Sequence, residues 1–359
     1  MALAMPNMLD IQWPDGQSAV LSTLWLRDNC PCPDCRVTQT QEKRFHIASV
    51  PIDYAPDQAQ VETDELVIRW PEGHESHYSR EFLMGYSQSI KQDWQPWQKG
   101  FLPQYVDYTE FLFNDLIAIE AIQVFLKDGV IIIDQAPRDV NTLEALAPRL
   151  GPVRELLFER IHNVQVDPNG YNVAHTNLPL PPHNDFASYS WPPSVQALHM
   201  LVNEAEGGRS TLLDGWGALE AFRAQYPDEF ETLCRVPVPF REFDDNNETF
   251  ATAPMIQLDS KGNIALFRYS NQLMQPLDPS STDTADFYNA YHLLSQQIFD
   301  SPFESRFRLE GGQIIVAASH RVLHGREAIE TAGKRHLQDA YFEHDNVRNL
   351  LTVLKRKNG

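Results

Sequence analysis

Cysteine is scarce in this chain, four residues in 359, and three of the four crowd into Cys30-Pro31-Cys32-Pro33-Asp34-Cys35, leaving Cys234 alone. Such crowding is poor geometry for a disulfide framework, so the cluster reads as a metal site. Basic residues are also in short supply. The 29 Lys and Arg stand against 49 Asp and Glu, a formal net charge of −20. That field repels phosphate backbones and anionic lipid, so neither nucleic acid nor a membrane is an expected partner. Also missing is any apolar run of about 18 residues, the length that crosses a bilayer. Met1 to Trp13 shows neither the basic start nor the apolar core of a signal peptide. A soluble, unprocessed protein of the reducing cytoplasm is expected.

The length suits one large domain and one small one. The stretch Asp93-Trp94-Gln95-Pro96-Trp97-Gln98-Lys99-Gly100 breaks any regular pattern. It sets the expected division into residues 1–100, a small β-rich zinc-binding domain, and 101–359, a catalytic domain. Three thiolates from Cys30, Cys32 and Cys35 need a fourth ligand to close a zinc tetrahedron. Glu65 to Trp70 reads as a strand turned by Pro71-Glu72-Gly73, which delivers His74 first and His77 three residues later. His74 is favoured and His77 held in reserve. Four protein ligands would leave no open position for chemistry, so this Zn(II) is expected to be structural.

Further on, Tyr108 to Lys127 has helical spacing stopped by Asp128-Gly129, and Val130 to Ile133 is a short buried strand. Helices are also expected at about 141–150, 215–226 and 282–299, and strands at 194–202, 210–213, 264–269 and 313–317. Leu337 to Phe342 continues the strand pattern. The expected fold class is mainly β with inserted helices, built on a double-stranded β-helix (jelly-roll) core.

His183-Asn184-Asp185 places an imidazole and a carboxylate at i and i+2, which a strand or its end turns toward one cavity. Two imidazoles and one carboxylate on one face of an iron leave positions open for a chelating co-substrate and dioxygen. His320 and His324 compete to be the second imidazole, and only His324 continues as Gly325-Arg326 with Arg335 downstream. His199, inside an apolar run, reads as a core histidine. Arg335 offers the planar, permanently charged fork that the far carboxylate of a dicarboxylate co-substrate needs.

These residues carry a resemblance. Leu26 to Cys30, Trp70-Pro71 with Gly73-His74, Asn172-Val173-Ala174, His183-Asn184-Asp185, Gly207-Gly208 with Leu213-Asp214-Gly215, Leu323 to Arg326, and Arg335-His336-Leu337 span nearly the whole chain. Together they resemble the γ-butyrobetaine hydroxylase and trimethyllysine dioxygenase branch of the taurine-dioxygenase-like, 2-oxoglutarate-dependent oxygenases. The resemblance implies His183, Asp185 and His324 as Fe(II) ligands and Arg335 as the clamp on 2-oxoglutarate. Asn172 and Ser210 would lie beside that co-substrate, and Cys30, Cys32, Cys35 and His74 would hold zinc. It also implies a homodimer, and hydroxylation of an unactivated C–H with release of succinate and carbon dioxide.

In the betaine enzymes an aromatic cage holds a quaternary ammonium, a charge that cannot donate hydrogen bonds. Matched outward from the anchors, the corresponding positions here are Phe158, His162, His175, Phe186 and Tyr341, with Arg268 and Asn271 as further polar candidates. The implied substrate is a small zwitterionic betaine or amino-acid-like molecule. The alternative keeps the iron chemistry on an anionic phosphonate, a sulfonate or an intermediate of specialised metabolism. A non-catalytic metal-binding scaffold is the third reading, weakened because all three iron ligands and the clamp are retained.

Overall fold

The computed structural model describes residues 7–85, 94–156, 159–165, 173–330 and 333–358. The chain forms two compact units, Met1–Gln92 and Asp93–Gly359. No helix among the described residues is long and apolar enough to cross a membrane.

In the first unit β1 (Met8–Gln12) and β2 (Ser18–Ser22) form an antiparallel hairpin that feeds α1 (Thr23–Asp28). A three-stranded antiparallel sheet follows, β3 (Gln58–Val61), β4 (Glu65–Arg69) and β5 (Glu75–Ser79), and then α2 (Arg80–Gly85). Leu66, Ile68, Trp70 and Tyr78 are fully buried with Leu26, Ile11 and Trp13. Two buried polar atoms of that core are satisfied, since Trp70 Nε1 donates to Ser76 Oγ and the Tyr78 hydroxyl to the Leu26 carbonyl. Gly73 (φ +81°) makes the turn after β4, and Trp70 N donates across it to His74 O. The conformation is one that glycine adopts without steric cost.

The second unit contains β6 (Gln104–Asp107), α3 (Tyr108–Phe113), α4 (Asp115–Asp128), β7 (Val130–Asp134), α5 (Ala147–Leu150), β8 (His162–Gln165), β9 (Leu180–His183), β10 (Val195–Asn203) and β11 (Ser210–Asp214). After these come α6 (Gly215–Gln225), α7 (Pro227–Arg235), β12 (Val238–Phe243), β13 (Glu248–Ala253), β14 (Ile256–Leu258), β15 (Ile264–Phe267) and α8 (Asp283–Phe299). β16 (Glu304–Phe307), β17 (Ile314–Ala318), β18 (Val322–Arg326), β19 (Arg335–Phe342) and α9 (His344–Asn358) complete it. One sheet has the order β6-β7-β17-β10-β19-β8 and another β16-β11-β18-β9. Only β6 and β7 run parallel within them.

Alternation explains the near-continuous apolar runs. Val130, Ile132, Ile315 and Ala317 point toward Leu212 and Val322 of the smaller sheet. Their neighbours Ile131, Ile133, Ile314 and Val316 point the other way, onto Phe111, Ala118, Ile122 and Phe125 of α3 and α4. Both faces of the larger sheet are therefore covered. The helix expected over 108–127 is two helices, because Asn114 ends α3 and its side chain caps α4 by accepting from Leu116 N and Ile117 N. Such a cap is worth about 1 kcal/mol. The stretch expected as a helix at 141–150 is a 3-10 turn, Thr142–Leu146, followed by the short α5.

Candidate active site and metal centres

In the first unit the end of α1 and the turn after β4 converge. His74 Nε2 lies 3.3 Å from Cys30 Sγ, 3.7 Å from Cys32 Sγ and 3.6 Å from Cys35 Sγ. Burial pushes the Cys30 thiol up to about 12. Ionising it at neutral pH thus calls for a cation in the middle of the cluster, and three sulfurs with one imidazole form a closed donor set that suits structural zinc. The reserve ligand His77 is elsewhere, half-exposed between Glu65 and Glu75. Arg27 braces the cluster, donating to Cys35 Sγ (3.2 Å) and pairing with Glu72 (2.9 Å). Stripping zinc with a chelator, or His74→Ala, is expected to unfold this unit, since zinc binding and folding are one equilibrium in such modules. Limited proteolysis with metal analysis checks it, and a zinc-free protein cut no faster between residues 7 and 85 would refute it.

The second unit brings His183, Asp185 and His324 together, their ligand atoms all within 4.8 Å of one another. Strand register does this. His183 on β9 is the direct cross-strand partner of His324 on β18, and the two rings meet at a tilt of 44° with centroids 4.3 Å apart. Gly325 permits the close approach, because a Cβ there would meet Leu180 O at 2.6 Å and Thr211 Oγ1 at 2.7 Å. Asn184, between His183 and Asp185, fixes the turn by donating to Phe267 O and Ser319 O and accepting from Tyr269 N (2.9 Å). The Pro181 carbonyl lies 2.9 Å from His183 Nδ1, which leaves Nε2 to face Asp185 Oδ1 at 3.2 Å. The competitor His320 is spent on the Pro192 carbonyl (3.0 Å), and His199 is fully buried in the core.

Asp185 is held from behind. Gln196 Nε2 (2.6 Å) donates to its Oδ2, and the Tyr341 hydroxyl lies between that oxygen (2.7 Å) and Asp339 Oδ2 (2.6 Å), sharing its single hydrogen with the two. Burial opposes its ionisation, but the neighbouring His324 and His183 and the Tyr341 hydrogen bond keep the carboxyl well below its usual range. Burial depresses His324 to about 4, so its imidazole is neutral and ready to ligate. Partners that orient metal ligands in this way are a standard requirement of metal sites.

The three residues line a cavity of about 340 Å³. Arg335, Leu337, Asp339 and Tyr341, alternate residues of β19, all face it, as do Gln196 and Leu198 of β10 and Ser210 of β11. Arg335 is buried at the start of β19, its Nε has no partner, and burial followed by Arg326 and Arg308 depresses it to about 10. It is still a cation at neutral pH, and among the described residues no carboxylate pairs with it. Arg326 also faces the cavity and is committed to the carbonyls of Ala174, Thr176 and Leu178. Farther along β19, Asp339 is joined at the lining by His162, Phe186 and Glu242. Burial, then the charge of Asp185, pushes Glu242 up to about 7.

Among the other expected substrate contacts, His175 lines the cavity. Phe186 does so from a left-handed conformation (φ +53°). Arg268 does not line it, because its guanidinium is buried against the carbonyls of Ala187, Tyr189 and Ser190 and pins the segment after Asp185. Asn271 is exposed and also outside the lining. Phe158 and Asn172 lie outside the described residues. Gln196, Glu242 and Asp339 were not singled out by any motif.

A model of the taurine catabolism dioxygenase TauD, TfdA family matches residues 93–341, and one of the γ-butyrobetaine hydroxylase-like N-terminal region matches residues 4–98. The chain belongs to the TauD, TfdA dioxygenase family. This dioxygenase is 32% identical to the γ-butyrobetaine dioxygenase of Pseudomonas sp. (strain AK-1), over 99% of this chain and 96% of that one. It is 28% identical to the mitochondrial trimethyllysine dioxygenase of Homo sapiens, over 92% of this chain and 82% of the relative. The crystal structure of a taurine dioxygenase from Burkholderia xenovorans shares the fold, with a TM-score of 0.52 and 13% identity over 68% of this chain and 88% of that one. The enzyme class is accordingly that of the Fe(II)- and 2-oxoglutarate-dependent dioxygenases.

Proposed function

We propose that this dioxygenase hydroxylates an unactivated C–H of a small zwitterionic, betaine- or amino-acid-like substrate, R–H + 2-oxoglutarate + O₂ giving R–OH + succinate + CO₂. The supporting observation is the polarity of one cavity. A buried guanidinium without a counter-ion, Arg335, stands at one end of β19, buried acceptors stand farther along the same strand, and the His183, Asp185 and His324 donors also line it. Those three would hold Fe(II), which supplies activation of dioxygen when bound. Arg335 would pair with the distal carboxylate of 2-oxoglutarate, with Ser210 of β11, in the other sheet, lining the same cavity.

The work left to the chain is orientation. Gln196 and Tyr341 fix the Asp185 carboxylate, Pro181 fixes the His183 ring, and Leu198 and Leu337 keep the middle of the cavity apolar. The acidic lining formed by Glu242 and Asp339 disfavours the anionic phosphonate or sulfonate alternative, because a second anion would meet carboxyl groups at low dielectric. Anaerobic addition of 2-oxoglutarate to the Fe(II) protein tests the reading. A visible charge-transfer band is expected in the wild type and is lost in His324→Ala. An iron-loaded, folded wild type without the band would sink it.

A further inference from the structure

Deep in the cavity lie hydrogen-bonding atoms for which the fold supplies no partner. His162 is only 8% exposed and lines the cavity, and neither of its ring nitrogens has a hydrogen bond. Its Nδ1 sits at ion-pair distance, 3.4 Å, from Asp339 Oδ1, which likewise has no hydrogen bond. The other carboxylate oxygen, Asp339 Oδ2, is already served by the Tyr341 hydroxyl (2.6 Å) and Gln196 Nε2 (3.3 Å). The free valences therefore concentrate on one small spot formed by an imidazole and a single carboxylate oxygen. Buried polar atoms are rarely left in this condition unless a ligand completes them.

We propose that the substrate of the reaction inferred above carries an ammonium that still bears N–H, a primary to tertiary amine in its protonated form, and that Asp339 Oδ1 and His162 receive it. A trimethylammonium group supplies the charge but no donor. Its methyls would cover the imidazole and Oδ1 and leave both buried and unmet, which is the more costly way to lose a hydrogen bond. Among the described residues the aromatic surface does not compensate. The rings of Phe186 and Tyr341 stand at 88° with centroids 5.0 Å apart, and Tyr189 meets Phe186 at 85° and 5.2 Å, so ring faces are partly covered by one another's edges. His162 meets the same two rings at 5.6 Å each. Among the described residues a cation entering there meets the rings of Phe186 and Tyr341, and beside them an acceptor pair. The inference rests on the proposed hydroxylase reading and narrows its substrate class.

The test is a methylation series on two scaffolds, 4-aminobutanoate and lysine, with zero to three methyl groups on the terminal nitrogen. Each is added to the Fe(II), 2-oxoglutarate-loaded protein, and the perturbation of the visible band and the rate of succinate release are read. Members with N–H are expected to be favoured over the trimethyl member by at least about tenfold in kcat/KM, on at least one scaffold. His162→Phe, which keeps a ring against Phe186 and Tyr341, should shrink that preference severalfold or reverse it, as should Asp339→Asn. A trimethyl member that matches or exceeds its N–H counterparts overturns the inference and leaves the hydroxylase reading standing. So does silence from every N–H member while the 2-oxoglutarate band forms. Absence of the band itself removes both readings together.

Discussion

Arg335→Ala raises the dissociation constant for 2-oxoglutarate by roughly 30-fold to several thousand-fold, the equivalent of about 2 to 5 kcal/mol for losing one side of a buried, hydrogen-bonded charge pair. The expectation follows from what surrounds the guanidinium. Arg335 is buried, among the described residues no carboxylate pairs with it, and the charges that move its pKa, Arg326 and Arg308, are themselves cations. The folded protein bears the desolvation of this charge alone, and an entering dicarboxylate relieves it. Two measurements separate this role from a structural one. Without co-substrate, Arg335→Ala should melt no earlier than wild type, because an uncompensated buried charge has been removed. The upward shift in Tm that 2-oxoglutarate gives the wild type should vanish. Arg335→Lys should fall between, since it restores charge without the bidentate fork. Equal 2-oxoglutarate affinity in all three proteins would refute the assignment.

Asp214→Ala destabilises the protein by about 3 to 5 kcal/mol, the range for breaking a buried ion pair from one side. Asp214 is fully buried at the end of β11 and receives Arg321 Nε and Nη2, each at 2.9 Å, as well as Trp97 N (3.1 Å) and Gly217 N (3.2 Å). Arg321 in turn donates to Lys127 O (2.7 Å) and Gln95 O (3.1 Å), with Trp94 facing it at 4.9 Å. The pair thus ties α4, the start of the second unit, β11, α6 and the turn before β18 to one point. Urea denaturation measures the loss. The double variant Asp214→Ala/Arg321→Ala should lose clearly less than the two single losses added, since the second removal takes away a charge already stranded. Because Arg321 lies three residues before His324, iron affinity should fall alongside stability. A loss below about 1 kcal/mol in Asp214→Ala would place the pair among weak surface bridges instead.

The chemistry at the ends of strands was the most legible part of this sequence. His183 and Asp185, two apart at a strand end, and His324 beside its glycine are brought together by β9–β18 register, and the i, i+2 spacing with the Gly325-Arg326 continuation and Arg335 downstream already pointed there. The turn at Gly73 likewise made His74 readable as a partner for the three cysteines. What resisted reading was where long side chains end. Arg268 and Arg326 are both buried arginines near the site, yet both are consumed by backbone carbonyls, and no local pattern distinguishes them from Arg335. Asp339 could have been found, because the alternation on β19 that puts Arg335 and Tyr341 in the cavity must put residue 339 there too. Gln196 and Glu242 could not, since each depends on a partner more than ten residues away and on which face of its strand is inner. The single helix expected at 108–127 failed for a local reason, a side chain at Asn114 able to compete for backbone donors.

β19 also works as a ruler. Arg335 and Asp339 are rigidly spaced on one hydrogen-bonded strand, four residues or about 13 Å apart, paired on one side to β10 and at its middle residues to β8 on the other. The pleat graduates that strand in steps of about 7 Å, the separation of successive inward residues. Substrate reach is therefore not continuously adjustable. A lineage that shifted its acceptor from Asp339 to the position of Leu337 or Tyr341 would jump a whole graduation, whereas one that kept Asp339 could alter the head group and leave the measured length untouched. Sibling enzymes on this strand should accordingly differ in what they grip more readily than in how far away they grip it.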